Sequence, residues 1–333
     1  MIRNKREFVD YFENNIRPKY EGEIEKVALI EERFQKYRTV GIAIGLLFFF
    51  FLVACNIVFG VSGVFIGFFV LVGLLTLYAR IRAKFIKTDS KDSIVTLSSY
   101  GSYNNFQMAS KKPILEEIIP AVLPNFTYAP SKGITEKELK NTSFFSEKIL
   151  DIAKTDDAII GNFNDKEVRV SEVSIYRVEE DKDTRREIKF LDSLVVEVDM
   201  KLDPNVELYL TYKTYNNDSF KASNRKTLHE ISLSNLYVDQ HYRVLTNDSV
   251  VTNKLLQPRN IDKLVQLMER TNKYISLGVK NGKIMLVVKS DRDLFEILTP
   301  ENFNPDVIWE EIFIILDTIS YVEQIGLDFK KAQ

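Results

Sequence analysis

The sequence predicts an α+β protein: an N-terminal helical stem, a two-helix transmembrane hairpin, and a cytoplasmic domain of antiparallel β-hairpins with short helices and a C-terminal helix. Three observations carry this. Residues 39–79 contain no charged side chain. Apolar residues before that run recur at spacings near three and four, a helical period. After about residue 155 the period becomes two, the mark of strands with one buried face.

The stem covers residues 1–38. Phe8, Phe12, Ile16, Tyr20, Ile24, Val27, Phe34 and Tyr37 line one side, with Glu and Lys between them. Pro18 lacks an N–H and clashes one turn back, so it is expected to kink or divide this helix. The stripe must face its own domain, a second copy or a lipid surface.

The uncharged run of 41 residues, Thr39 to Ala79, would be roughly 60 Å long as one helix. A bilayer core is about 30 Å thick, so two spans are expected, at about 40–58 and 62–79. The turn falls near Phe59–Gly63. Lys26, Arg33, Lys36 and Arg38 precede the first span, and Arg80, Arg82, Lys84 and Lys87 follow the second. Basic flanks stay on the cytoplasmic side, so the expectation is a two-span inner-membrane protein with both termini cytoplasmic. A cleaved signal peptide does not fit, because the run starts about 40 residues in and is too long. Gly41/Gly45 and Gly63/Gly67 have small-xxx-small spacing, which lets helices approach closely. Counting from each cytoplasmic end sets Gly45 level with Gly73, and Ala54 level with Gly67. Asn56 is the strongly polar side chain of the run and suits a buried interhelical hydrogen bond.

Residues 80–112 read as a juxtamembrane helix end and polar connector, and 113–333 as the cytoplasmic α+β domain. In that domain Pro113–Ile119 is a helix stopped by Pro120 and Pro124, and a second helix is expected over about 135–153. Ala158–Phe163 and Glu167–Val170 flank an Asn164–Lys166 turn. Val168 and Val170 share one parity and Val173 and Ile175 the other, which suggests a β-bulge near Ser171–Glu172. Leu194–Leu202 and Val206–Tyr212 alternate about Asp203–Asn205, as a hairpin with one buried face. A helix begins near Asn260. Asn281–Gly282 between two apolar runs suits a type I′ turn. Asn304-Pro305-Asp306 starts a C-terminal helix with Ile308, Ile312, Ile315, Ile319 and Val322 on one face, and Gly326 ends it.

The chemistry is sparse. Forty-five Lys and Arg stand against 47 Asp and Glu, a formal charge of −2, which argues against nucleic acid as a partner. One Cys and two His exclude an internal disulfide and leave little for a Cys/His metal site. Cys55 sits in the apolar run. No phosphate-cradling glycine loop and no HExxH occur, so no cofactor, metal or catalytic residue is assigned. His229 and His241 lack a fixed acidic partner. Asp151, Asp156 and Asp157 form an acidic cluster that could bind a cation, but a solvated strand entry explains them as well. Glu179–Arg186 is a charge-dense hairpin tip.

Further motifs run in order through the domain: Pro124–Tyr128, Phe144–Ser146, Asp156–Gly161, Val168–Glu172, Tyr237–Thr246, Leu255–Pro258 and Asp293–Phe295. In these the chain resembles a bacterial family known as domain of unknown function thirty-one thirty-seven, over most of 113–325. Where that family has a Phe-Gly step after the second strand, this chain has Leu191-Asp192. The resemblance implies a helix, two close membrane spans and a cytoplasmic domain, and no reaction. It also implies a LemA-type membrane protein as a possible partner.

These readings favour a membrane-anchored binding or assembly module that contacts lipid and either a protein or copies of itself. The alternatives are an acid- or metal-dependent enzyme around Asp156/Asp157 and a subunit of an oligomeric channel or transporter.

Overall fold

The computed structural model describes residues 2–59, 70, 73, 76, 103–142, 151–181, 184–213, 227–290 and 294–332. The protein is α+β. It divides into two compact units, one of residues 1–14, 115–296 and 304–333, the other of 15–114 and 297–303.

The first unit is built on a nine-stranded sheet. Its strands are β1 (Phe126–Tyr128), β2 (Ile152–Phe163), β3 (Lys166–Asp181), β4 (Thr184–Asp199), β5 (Leu208–Tyr212), β6 (His229–Ile231), β7 (Tyr242–Thr246), β8 (Ile275–Lys280) and β9 (Lys283–Ser290). Their order is β1-β2-β3-β4-β9-β8-β5-β7-β6, and every pairing is antiparallel.

The tight turns were readable. Asn164 and Asp165 both have positive φ between β2 and β3, as do Asn281 and Gly282 between β8 and β9. Two positive φ values are what a type I′ turn requires. The neighbour of β4 was not readable. The alternation across Asp203–Asn205 suggested that β4 pairs with β5, yet the β8–β9 hairpin lies between them. The chain leaves β4 through Lys201 in a left-handed conformation, and Leu202 N–H donates to Gly282 O at 3.1 Å. It thus crosses the end of that hairpin before β5 begins.

Helices cover both faces of the sheet. Helix α1 (Lys5–Tyr11) sends Phe8 against Trp309, ring centroids 5.4 Å apart. Next in this unit is the end of α3 (Tyr103–Val122), which continues through Pro113 and Pro120 rather than stopping there. Helix α4 (Glu136–Asn141) is shorter than the expected 135–153, because β2 already begins at Ile152. Then come α5 (Leu236–His241), α6 (Ser249–Leu255), α7 (Pro258–Thr271) and α8 (Pro305–Ala332). The expected Ile stripe of α8 is buried, and the helix lies against β4 and β9 with α1, α6 and α7 beside it. Helix α8 runs on through Gly326, where an added Cβ would sit 1.4 Å from the Met200 Cε. That glycine serves close packing, not termination.

Val168, Val170, Leu194, Val196, Val198, Ile284, Leu286 and Val288 share one parity in the register and are buried. Of the opposite parity, Val173, Ile175, Leu191, Val195, Met285 and Val287 pack with Ile134, Leu139 and Tyr209. The parity change along β3 is therefore a change in which face is covered. The bulge lies in β2, between Thr155 and Ala158, and β3 to β4 shifts register only at Ile175/Tyr176.

The second unit holds α2 (Arg17–Phe59), a single rod about 65 Å long. Just before it, Phe12–Ile16 form a π-turn. This wider turn falls immediately N-terminal to Pro18, where the proline cannot supply an N–H to the helical ladder. Ile16, Tyr20, Ile24 and Val27 are buried as the stripe predicts, and Tyr20 Oη donates to Pro113 O at 3.5 Å.

The expected transmembrane hairpin is corrected here. Among the described residues no helix is long and apolar enough to cross a membrane. Nothing breaks the chain between Pro18 and Phe59, so the first expected span is the continuation of the charged stem and not a separate helix. The second expected span lies outside the described residues except Val70, Gly73 and Thr76, which are helical.

Candidate functional site

The site with the densest chemistry lies on the α4-covered face of the sheet. Glu197 sits on β4 at a position that alternation would send to solvent. Because α4 covers this face, Glu197 is buried and must find partners. It accepts from Arg169 Nη2 at 2.7 Å, Arg169 Nε at 3.2 Å and Lys283 Nζ at 2.9 Å. The third side of Arg169 is taken by Glu138 of α4, through Nη1 at 2.9 Å. Glu138 closes a capping box with Thr135. Burial pushes the Glu138 carboxyl up, but the Thr135 amide and hydroxyl and Arg169 outweigh it and hold it below the usual range. For the Arg169 guanidinium, burial is likewise outweighed, by Glu197 and then Glu138, and its pKa is raised.

Next to this network is a cavity of about 20 Å³ lined by Thr142, Glu197, Tyr209, Gly278, Lys280, Lys283 and Met285. That volume admits about one water molecule. Tyr209 pairs directly with Gly278, so the ring covers a place where no side chain fills the face. Its hydroxyl donates to Thr142 O at 2.7 Å. Lys280 approaches Glu207 at 3.4 Å. Three carboxylates thus meet three cations. The arrangement neutralises itself and holds α4 to three strands, and the Tyr209 hydroxyl also lies 3.4 Å from Glu207 Oε2.

The acidic residues singled out in the sequence are not brought together. Asp151 accepts the Val178 N–H at 2.7 Å, closing a backbone donor beyond the last β2–β3 pair. Asp156 and Asp157 occupy the β2 bulge, where Asp156 is exposed and Asp157 is buried as acceptor of the Tyr128 hydroxyl. Burial, the charge of Asp157 and that hydrogen bond hold the Tyr128 phenol well above its ordinary value. Among the described residues no group of three His, Cys, Asp or Glu is arranged to hold a metal ion. His229 Nε2 lies 2.6 Å from Ser249 Oγ on an exposed edge, away from His241.

Of the residues read as helix-packing, Gly45, Ala54 and Gly73 are exposed. An added Cβ at Gly45 or Gly73 would meet nothing within 4 Å. Gly41 and Asn56 are helical, their surroundings lying outside the description, as do Gly63 and Gly67 altogether.

Sequence reasoning missed two features. Glu172 and Glu311, both buried, accept the consecutive amides of Leu294 and Phe295 at 3.0 and 2.9 Å, Phe295 having a positive φ of 52°. The second feature is a run of rings at one end of β5, β7 and β8. Tyr274 stacks on Tyr212 at 4.2 Å, Tyr212 lies parallel to His241 at 6.1 Å, and Tyr237 meets His241 at 4.7 Å. The i,i+4 pair Tyr237/His241 on one short helix was its readable signal.

No curated protein sequence matches the chain. The chain is similar to the crystal structure of the mycobacterial trehalose monomycolate transport factor A, TtfA, at 8% identity and a TM-score of 0.33, over 59% of this chain and 86% of that one. A superposition that loose carries no argument. The C-terminal part gives a definite match: residues 189–331, from within β4 through most of α8, match the model of the family described as "Protein of unknown function (DUF3137)".

Proposed function

We propose that the chain is a binding or assembly module held at a membrane, with the sheet unit as its binding part. One observation supports this above the others. Ile42, Leu46, Phe49, Phe50, Phe51, Val53 and Ile57 of α2 are 39–80% exposed. At 100° per residue six of them share an arc of about 100°, and Phe51 stands opposite its edge. An exposed apolar stripe of this size marks an interaction surface, and the length of the uncharged run around it favours lipid as what covers it. The uncharged stretch continues to Ala79 in the sequence, and basic residues stand on either side of it, where they can meet anionic headgroups. The self-neutralising network around Glu197 suits a rigid binding scaffold better than a reaction centre.

Fractionation of cells expressing the full chain tests this. The wild-type chain is expected in the membrane pellet after a high-salt wash and in solution after detergent. The Phe49→Asp/Phe50→Asp variant is expected to move to the soluble fraction. A wild-type chain that stays soluble without detergent would overturn the reading.

A further inference from the structure

We propose that the ring patch at the end of β5, β7 and β8 is a docking site for an arginine side chain of a partner protein, received between Tyr237 and Glu269. This names the partner chemistry of the binding role proposed above and rests on that role only in part.

Tyr237 and Tyr274, the outer rings of the run, are 39% and 43% exposed, and Leu236 beside them is 76% exposed. Tyr212 and His241 brace them from within, and Tyr242 meets Tyr212 edge-on at 5.4 Å. The faces of such rings are electron-rich and attract cations. Tyr242, edge-on to Tyr212, donates to Met268 Sδ at 2.9 Å, which brings this end of α7 to the rings, and the next residue, Glu269, is exposed. Among the described residues Glu269 makes no ion pair. The cations that follow it in the chain are engaged elsewhere: Arg270 pairs with Asp317 at 3.1 Å, and Lys273 has a partner of its own. The patch therefore offers a braced ring face and an uncompensated carboxylate side by side. A guanidinium uses both, since it stacks flat on a ring while its fork pairs with a carboxylate. A quaternary ammonium from a lipid headgroup could use the ring but has no N–H to give Glu269.

The test uses the full chain in detergent, with 13C in its tyrosine rings, titrated with an acetyl-Gly-Arg-Gly-amide peptide. Lysine and citrulline counterparts serve as comparisons, and phosphatidylcholine vesicles form a separate arm. Saturable shifts of the Tyr237 and Tyr274 resonances at millimolar arginine peptide are expected. Glu269→Gln and Tyr237→Leu should each weaken binding by about threefold to fivefold. Both positions are exposed, so neither change threatens the fold. An equal response to the citrulline peptide, an unchanged affinity in Glu269→Gln, or vesicles that displace the arginine peptide would overturn the proposal. A chain that proves soluble on fractionation leaves this titration as decisive as before, because the ring patch is read directly.

Discussion

Replacing Arg169 by Met should destabilise the sheet unit sharply, and replacing Glu197 as well should restore much of the loss. The Glu197 side chain is 10% exposed and that of Arg169 is 17% exposed. Removing one partner of a buried pair typically costs about 3–5 kcal/mol, because the remaining charge is left poorly solvated. Here Lys283 still reaches Glu197 at 2.9 Å, which reduces the expected cost to about 2–3 kcal/mol. For a unit of this size that is a Tm lowered by about 5–10 °C. In Arg169→Met/Glu197→Leu both buried charges are gone. Lys283 and Glu138, 40% and 41% exposed, can turn to solvent. The double variant should lie about 2 kcal/mol above the sum of the two single changes. Trp309 provides the assay. It is the chain's one tryptophan, buried on α8 against Phe8, so its fluorescence follows unfolding of this unit. Additive single and double effects, or an Arg169→Met variant within about 0.5 kcal/mol of wild type, would refute the claim that the network is a coupled buried cluster.

Three further outcomes are expected. Gly161→Ala should lower stability by about 1–3 kcal/mol and free β1, because the new Cβ would lie 2.3 Å from Asn125 O and 2.7 Å from Phe126 Cα, backbone atoms that cannot swing away; hydrogen exchange at Phe126–Tyr128 reads it. The carboxyls of Glu136, through Lys140 and the Ala153 amide, and of Glu138 are held below their ordinary values. Such groups stabilise the fold above the unfolded pKa and lose that contribution as pH falls through the folded one, so amides of α4 should lose protection below about pH 4.3 before the rest of the unit. Asp317 has the opposite sign: burial raises its carboxyl more than Arg270 lowers it, so its charge costs stability as pH rises through the folded value. Asp317→Asn should therefore raise the Tm at pH 7 and change it little at pH 3.

Amphipathic helices and tight turns were legible because their determinants are local. Phe8 through Val27 form one stripe that runs from α1 across the π-turn into α2, and Ile308 through Val322 form one on α8; both are buried as read, while the surroundings of Phe34 and Tyr37 lie outside the description. Asn164-Asp165 and Asn281-Gly282 carry the φ values their residue types allow. Strand neighbours were not legible, because β4 and β5 alternate equally well whether or not a hairpin from eighty residues later is inserted between them. The transmembrane expectation treated the uncharged run as a unit in itself. In the structure its first half is continuous with the charged stem, so helix length and apolar length do not coincide. The change of parity in β3 was read as one strand slipping. It records two packing layers, α8 on one face and the Ile134–Leu139 segment on the other, each claiming a different part of the strand.

The candidate site follows from the same two-sided burial. A strand covered on one face can send its charges to water, as Leu194–Leu202 was expected to do. Once α4 covers the second face, the charged positions of β3, β4 and β9 lose that exit. Arg169, Glu197 and Lys283 are brought abreast by register, since Arg169 pairs with Glu197 and Glu197 with Met285, two residues from Lys283. No spacing in the sequence announces such a set, because its members lie on three strands and a helix. Their mutual neutralisation leaves this set of described residues with its charges paired rather than turned to a ligand. The unclaimed chemistry is instead at the strand ends, where the rings of Tyr237 and Tyr274 stand exposed and Glu269 has no ion pair among the described residues. The face whose charges are satisfied is suited to holding shape, and the end whose rings remain open is suited to contact.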